Sequence, residues 1–218
     1  MRGLWSSLQV IMSDFTYETK NTESKLETYE WDNVWWEQTG NKSSKRVLYI
    51  GDSISCGTRR AATAASSGKL LFDGFGTSKA LDNPYFEPAL KLFSDQQRKR
   101  EAVIFNNGLH GWHLSDEEYK SLYEKKIDFL ISQFEGTPVF VVLTTAVLGD
   151  SDRYDRVIAR NRIAEDIAAK KGCPIIDLFK VSEENAALHT NDGVHFNEAG
   201  YEGLAKEVVK RILEEIPD

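Results

Sequence analysis

Cysteine is scarce in this chain: there are two in 218 residues, Cys56 and Cys173. A pair so widely separated makes neither a disulfide framework nor a thiolate metal site, and the simpler compartment is the cytosol. An excess of basic charge is missing too. With 27 Lys and Arg against 34 Asp and Glu, the formal net charge is -7, which argues against nucleic acid or an anionic membrane surface as partner. The one dense basic run, Arg98-Lys99-Arg100, reads as the solvated end of a helix. No segment approaches the roughly 20 uninterrupted apolar residues of a membrane span. The leading Met1 to Met12 stretch is mildly apolar, but it has no continuous apolar core and no small-residue cleavage site, so a signal peptide is not expected. Internal repeats and low-complexity tracts are also missing.

What is present is an ordinary globular composition, 41% hydrophobic and 28% charged, in a length that can bury one good core. Apolar β-rich runs alternate with helical stretches. Strands are expected at 46–50, 69–72, 102–105, 139–144 and 174–178, and helices at 84–99, 116–134, 151–171 and 197–215. Ser115 and Glu118 form a capping-box signature before the second helix. Such alternation predicts a parallel sheet with helices on both faces. Residues 45–218 would form this domain. Residues 1–44 read as an extension, disordered to about residue 25, then carrying a cluster of Trp31, Trp35 and Trp36. That cluster can pack across the core or stack on sugar rings.

Two stretches carry chemistry. Gly51 breaks the apolar run Val47-Leu48-Tyr49-Ile50, so Ser53 in Gly51-Asp52-Ser53-Ile54-Ser55 falls at the carboxyl end of a strand, where α/β sheets bind ligands. Far along the chain stands Asp192-Gly193-Val194-His195, after an Asn-Asp-Gly turn signal and before the closing helix. A spacing of three lets the carboxylate reach the near imidazole nitrogen and leaves the far one to face a serine. A hydroxyl is a weak nucleophile at neutral pH, and it needs a base and a group that orients the base. Alone, Ser53 reads as a turn or cap residue and His195 as a surface-turn histidine. Together with Asp192 they compose a catalytic triad.

These residues resemble the SGNH/GDSL hydrolases, the GDSL-like lipases and acylhydrolases. The 51–55 stretch is similar to that family's nucleophile block, with Ile54 where Leu is usual, and 192–195 is similar to its final acid-base block. The resemblance covers about residues 45 to 216. It implies an α/β fold, a flavodoxin-like three-layer α/β/α sandwich around a central parallel sheet, an esterase-type activity, and neither metal nor cofactor.

It also implies an oxyanion hole from the Ser53 backbone N–H and two further blocks. In Asn106-Asn107-Gly108-Leu109-His110, the imidazole of His110 stands where the family has Asn, with Asn107 as the competing donor. In Phe72 to Ser78, Gly76 is the first choice for the glycine of a loop after the second strand, with Ser78 close behind. A neutral imidazole keeps one N–H donor, so His110 could serve while adding sensitivity to tautomer and pH. All four histidines, His110, His113, His189 and His195, fall in or near these segments. The His110 and His113 spacing alone makes a weak metal site. Cys56, near Ser53, reads as packing.

The expected function is a metal-independent serine esterase working through an acyl-enzyme on a small-molecule ester, with an acetylated carbohydrate first. A lysophospholipid or thioester substrate is the rival on the same fold. From other classes, an inactive ligand-binding protein and a nucleotide binder remain as alternatives. Asp52 directly before Ser53 is unhelpful for holding a phosphate.

Overall fold

The chain was described from a computed structural model, which covers residues 26–27, 29–96 and 99–216. The Met1 to Met12 stretch, the disorder expected to about residue 25 and Arg98 of the basic run lie outside the described residues. Six strands form one sheet: β1 (Asp32–Trp35), β2 (Lys45–Gly51), β3 (Leu70–Thr77), β4 (Ala102–Phe105), β5 (Val139–Val142) and β6 (Ile175–Ile176). Their order is β1-β3-β2-β4-β5-β6. Every neighbouring pair is parallel except β1 with β3, so the sheet is mixed at one edge.

The helices are α1 (Ser53–Ala65), α2 (Phe86–Ser94), α3 (Asp116–Gln133), α4 (Ser151–Lys171), α5 (Leu178–Glu184) and α6 (Glu198–Glu215). Alternation along the strands assigns the two faces. Val47 and Tyr49 of β2 pack with Ile54 and Ala62 of α1 and Leu204, Val208 and Ile212 of α6. Leu48 and Ile50 pack with Phe86 and Leu90 of α2, Tyr119 and Ile127 of α3 and Ile167 of α4 on the opposite side. These side chains are nearly all fully buried, each contributing about 1.5–3 kcal/mol relative to exposure. The result is the three-layer α/β/α sandwich.

Where the structure differs from the pattern, local packing explains it. β3 runs to Thr77 rather than stopping at Phe72, because its two glycines admit close neighbours. A Cβ on Gly74 would lie 2.4 Å from the Arg59 side chain, and one on Gly76 would lie 2.3 Å from Cys56 Sγ. The helix expected to reach residue 99 ends at Ser94, so the basic run is not its last turn; Arg100 instead donates to the Ser94 carbonyl at 3.0 Å. β1, Asp32-Asn33-Val34-Trp35, is exposed along its length and shows no alternation that marks a buried face. It is held by polar ties: Lys79 Nζ and Thr77 Oγ1 each reach Asp32 Oδ1 at 2.7 Å. Beyond it, the Glu37 N–H donates to Asp73 Oδ1 at 2.8 Å, and Arg46 pairs with Asp73 within the sheet at 2.6 Å.

The strand order sets the location of any ligand. The connection from β2 leads to β3 on one side, and β4 pairs with β2 on the other, so the order reverses at β2. In such sheets the crevice opens at the carboxyl ends of the two strands flanking the reversal. Ser53 follows β2 there, and the loop 106–111 follows β4. Among the described residues no helix is long and apolar enough to cross a membrane.

Candidate active site

The turn from β2 into α1 exposes Ser53 as the first helical residue. Asp52 caps the helix, its Oδ1 accepting from the Ile54 N–H at 2.9 Å, which satisfies one of the free amides at that end. Ser55 is buried and donates its hydroxyl to the Asp52 carbonyl at 2.7 Å. That leaves Ser53 as the serine of this motif that meets the opposing loop.

The opposing loop is closed on itself. The Thr190 N–H donates to the His195 carbonyl at 2.7 Å, and the Gly193 N–H donates to the Thr190 carbonyl at 3.0 Å. Within this ring Asp192 Oδ1 accepts from Thr190 Oγ1 at 2.8 Å and from the N–H groups of Val194 and His195 at 2.9 Å. Its Oδ2 lies 2.7 Å from His195 Nδ1, and His195 Nε2 lies 2.8 Å from Ser53 Oγ. Two segments 142 residues apart thus meet in one hydrogen-bonded chain. The Asp192 carboxyl is held well below the usual carboxylate range, first by the His195 ring and then by the two backbone amides. With the His195 side chain 40% exposed, the dyad remains open to solvent.

Thr190 was not singled out from sequence, and a hydroxyl two residues before the carboxylate is its only signal. His189 stands outside this chain. Its ring nitrogens face the carbonyls of Ala186 and Ala146 at 3.1 and 3.2 Å, and its ring packs on Phe196 with centroids 4.1 Å apart.

The oxyanion candidates separate by their commitments. Asn107 is fully buried, its Nδ2 donating to the Lys79 carbonyl at 2.9 Å, so its carboxamide is occupied in tying the 106–111 loop to the segment after β3. Ser78 gives its hydroxyl to Glu30 Oε2 at 3.0 Å, accepts from the Trp31 N–H at 2.8 Å and sends its own N–H to the Trp31 carbonyl at 3.1 Å. Gly76 lies inside β3, in register with Gly51 of β2 and Asn33 of β1, and not in a loop after the strand as the pattern suggests. It brings the Cys56 thiol close over the sheet, a contact only glycine permits. His110 remains mostly buried, with Nδ1 3.4 Å from Glu27 Oε1 and its ring edge to the Trp31 ring at 6.3 Å between centroids.

The His110 loop is clamped from α4 by a residue that sequence reasoning missed. Fully buried Arg160 donates Nη1 to the carbonyls of Gly108 and His110 at 2.9 and 2.7 Å, and Nη2 to that of Gly111 at 2.6 Å. Its guanidinium also stacks over Trp112 and Tyr119, 4.7 and 4.5 Å from the ring centroids. Three carbonyls answered by one planar fork fix the loop's course.

The three clustered tryptophans diverge. Trp31 meets His110, Trp36 stacks on Phe93 of α2 at 5.5 Å, and Trp35 is half exposed beneath the Arg59 guanidinium at 5.2 Å. His113 pairs with Asp82 at 2.8 Å. Among the described residues no three His, Cys, Asp or Glu side chains form a group that could hold a metal ion. A groove of about 650 Å³ lies between α1 and α6, lined by Gly57, Ala61, Ala64 and Tyr201 and by the charged Arg60, Glu198, Glu202 and Lys206; no triad residue lines it.

No family model and no curated protein matches the sequence. The solved structures do. The chain is similar to an acetyl xylan esterase, with 18% identity, a TM-score of 0.60, and coverage of 77% of this chain and 99% of that one. It is similar to a GDSL-like lipase from Bacteroides thetaiotaomicron, with 17% identity, a TM-score of 0.61, and coverage of 79% and 89%. It is also similar to the C-terminal catalytic domain of peptidoglycan O-acetyltransferase A from Streptococcus pneumoniae, with 19% identity, a TM-score of 0.60, and coverage of 79% and 94%. At such identities the likeness concerns the fold alone, an α/β fold that this chain shares with GDSL-like lipases and esterases.

Proposed function

We propose that the protein is a serine esterase of the SGNH type, cleaving a carboxylic ester of a small molecule through an acyl-enzyme. The observation that carries this reading is the chain from Ser53 Oγ through His195 to Asp192, at 2.8 and 2.7 Å. In the first half-reaction Ser53 Oγ attacks the ester carbonyl carbon while His195 Nε2 takes the hydroxyl proton. Asp192 holds the imidazole in the tautomer that keeps Nε2 unprotonated beforehand and stabilises the imidazolium that forms. The tetrahedral oxyanion is met by the Ser53 N–H at the α1 terminus and by the His110 side chain, with Gly76 retained as a backbone candidate. Collapse expels the alcohol, which takes the proton back from His195. Water, deprotonated by His195, then attacks the acyl-Ser53 carbonyl, and the Oγ–acyl bond breaks as His195 returns that proton to Ser53 Oγ, releasing the carboxylic acid and restoring the free serine and neutral base.

For the substrate, the favoured reading is a short acyl group on a carbohydrate. Two similar structures are named for an acetyl xylan esterase and a peptidoglycan O-acetyltransferase, and Trp31 offers an aromatic ring next to His110 on which a sugar face can stack. The hydrolase unit is residues 45–218, with Glu27 and Trp31 of the preceding segment set against His110. The rival reading is an ester or thioester with a longer acyl chain; the groove between α1 and α6 does not favour it, since four charged side chains and no triad residue line it. Turnover of nitrophenyl esters of increasing chain length, beside acetylated xylo-oligosaccharides, separates the two. Activity that peaks at acetate and extends to the sugar supports the first; a rise toward longer chains supports the second. Hydrolysis undiminished in Ser53→Ala overturns both.

A further inference from the structure

Glu27 lies in the segment that leads into β1, far in sequence from either catalytic loop. Its Oε1 accepts from the Gly111 N–H at 3.0 Å and sits 3.4 Å from His110 Nδ1. The chain turns back on itself here, with the Glu27 N–H donating to Glu30 Oε1 at 3.1 Å. Glu30 in turn is tied to the end of β3 through Ser78 at 3.0 Å. A carboxylate therefore addresses one nitrogen of His110, as Asp192 addresses one nitrogen of His195, but the two rings need opposite chemistry. His195 must offer a lone pair to Ser53. His110, to meet an oxyanion, must offer an N–H.

Tautomer counting then decides the charge. A neutral His110 that donates Nδ1–H toward Glu27 has only a lone pair at Nε2, which would repel an oxyanion. The other neutral tautomer would set the Nδ1 lone pair against the Glu27 carboxylate. Only the doubly protonated ring satisfies Glu27 and presents Nε2–H at the same time.

We infer that Glu27 is a positioning residue that holds His110 as an imidazolium, so that Nε2–H is presented to the oxyanion formed at Ser53. The inference rests on the serine-esterase reading. The groups around the ring support it. Burial opposes a charge on His110, but the carboxylates of Glu27, Asp52 and Glu30 outweigh it and raise its pKa. Asp52, one of the carboxylates acting on the ring, directly precedes Ser53 in the chain. Glu27 is lowered in turn, chiefly through its contact with His110, against some desolvation, and with help from the Gly111 N–H and the charges of His110 and His113. Of the remaining neighbours, Trp31 is apolar toward the ring, Arg160 is spent on backbone carbonyls and His113 is paired with Asp82. A charged donor makes a hydrogen bond roughly twice as strong as a neutral one. The arrangement gives the enzyme a window: His195 must have lost its proton and His110 must still hold one.

The test compares wild type with Glu27→Gln, which keeps an acceptor for the Gly111 N–H but removes the charge, and with Glu27→Asp, which keeps the charge. Two readouts are taken: kcat against pH on a nitrophenyl ester, and the His110 ring titration by NMR, assigned with His110→Asn. The expected wild-type profile is a bell. In Glu27→Gln the alkaline limb and the His110 titration should both move down by about one pH unit or more, with about tenfold lower kcat on that limb and little change in KM. Glu27→Asp should restore most of the loss. An alkaline limb and a His110 titration unmoved in folded Glu27→Gln would overturn this inference while leaving the esterase reading intact. Lack of hydrolysis by the wild type would overturn the esterase reading and the oxyanion role with it, and the NMR titration would still show whether Glu27 charges His110.

Discussion

Leu148 and Gly193 are locked together by backbone alone. The Leu148 N–H donates to the Gly193 carbonyl at 2.8 Å, and the Leu148 carbonyl oxygen lies 2.1 Å from where a Cβ on Gly193 would be. Gly193 also has φ +70°, a conformation that side-chain-bearing residues rarely adopt. The loop holding Asp192 and His195 is thus pinned to the segment after β5 at a point that tolerates only glycine.

Gly193→Ala should therefore displace the His195 loop. The clash and the left-handed backbone act together, and a misplacement of about 1 Å near the chemistry can cost about 10²-fold in rate. Turnover is expected to fall at least tenfold with the far-ultraviolet circular dichroism of the wild type retained. Wild-type kinetics in this variant would show that the loop position is not what sets His195.

Ser53→Ala and His195→Ala should each remove roughly 10³-fold or more of kcat, because the members of such a unit act together. Asp192→Asn should cost less, since it removes orientation and charge from the base but not the base itself. Steady-state kinetics of the three variants and of Ser53→Ala/His195→Ala check this. A double variant with twice the logarithmic loss of the singles would contradict concerted action.

Acidification should not stop the enzyme through Asp192. The Asp192 carboxyl is depressed by its contact with the His195 ring and the backbone amides. The stability it lends is therefore present above the unfolded carboxylate value, about 3.9, and is lost only as pH falls through the lower folded value. Activity should fall on acidification while the thermal midpoint still holds. Should activity and Tm fall together, acid unfolding would explain the limb instead.

Asn107 and His110 should respond differently to removal. Asn107→Ala breaks a buried tie to Lys79 and leaves that carbonyl without its donor, so it should lower stability by about 1–3 kcal/mol with kcat per folded molecule nearly unchanged. His110→Ala should lower kcat by about 10²- to 10³-fold with little change in KM, and His110→Asn should recover part of it. Thermal melts beside kinetics separate the two. A large turnover defect confined to Asn107→Ala would transfer the donor role to that residue.

The parts of this site that were legible in the sequence are those written in short contiguous patterns. Gly51 to Ser55 and Asp192 to His195 each define their own turn, and the apolar runs at β2, β4 and β5 are buried on both faces and so read as strands. Three features were not legible. α1 was not expected, because Ser53-Ile54-Ser55-Cys56-Gly57 has weak helix propensity; it is held by the Asp52 cap and by Gly57, whose missing side chain admits the Tyr201 ring. β1 was hidden by its exposure: it is held by its antiparallel pairing with β3 and by long-range polar contacts such as Lys79 to Asp32, which no local pattern encodes. Arg160 and Glu27 act across 50 and 84 residues on the 108–111 loop, and no local pattern announces such contacts.

The central claim is that Ser53 is the nucleophile activated by His195, and covalent trapping tests it most directly. Wild-type protein is incubated with a fluorophosphonate, followed by intact mass and peptide mapping, beside Ser53→Ala and His195→Ala. The account predicts one adduct, mapped to Ser53, lost in Ser53→Ala and formed at least 10²-fold more slowly in His195→Ala. An adduct on another residue, or a folded, ester-cleaving protein that takes up no label, would contradict it.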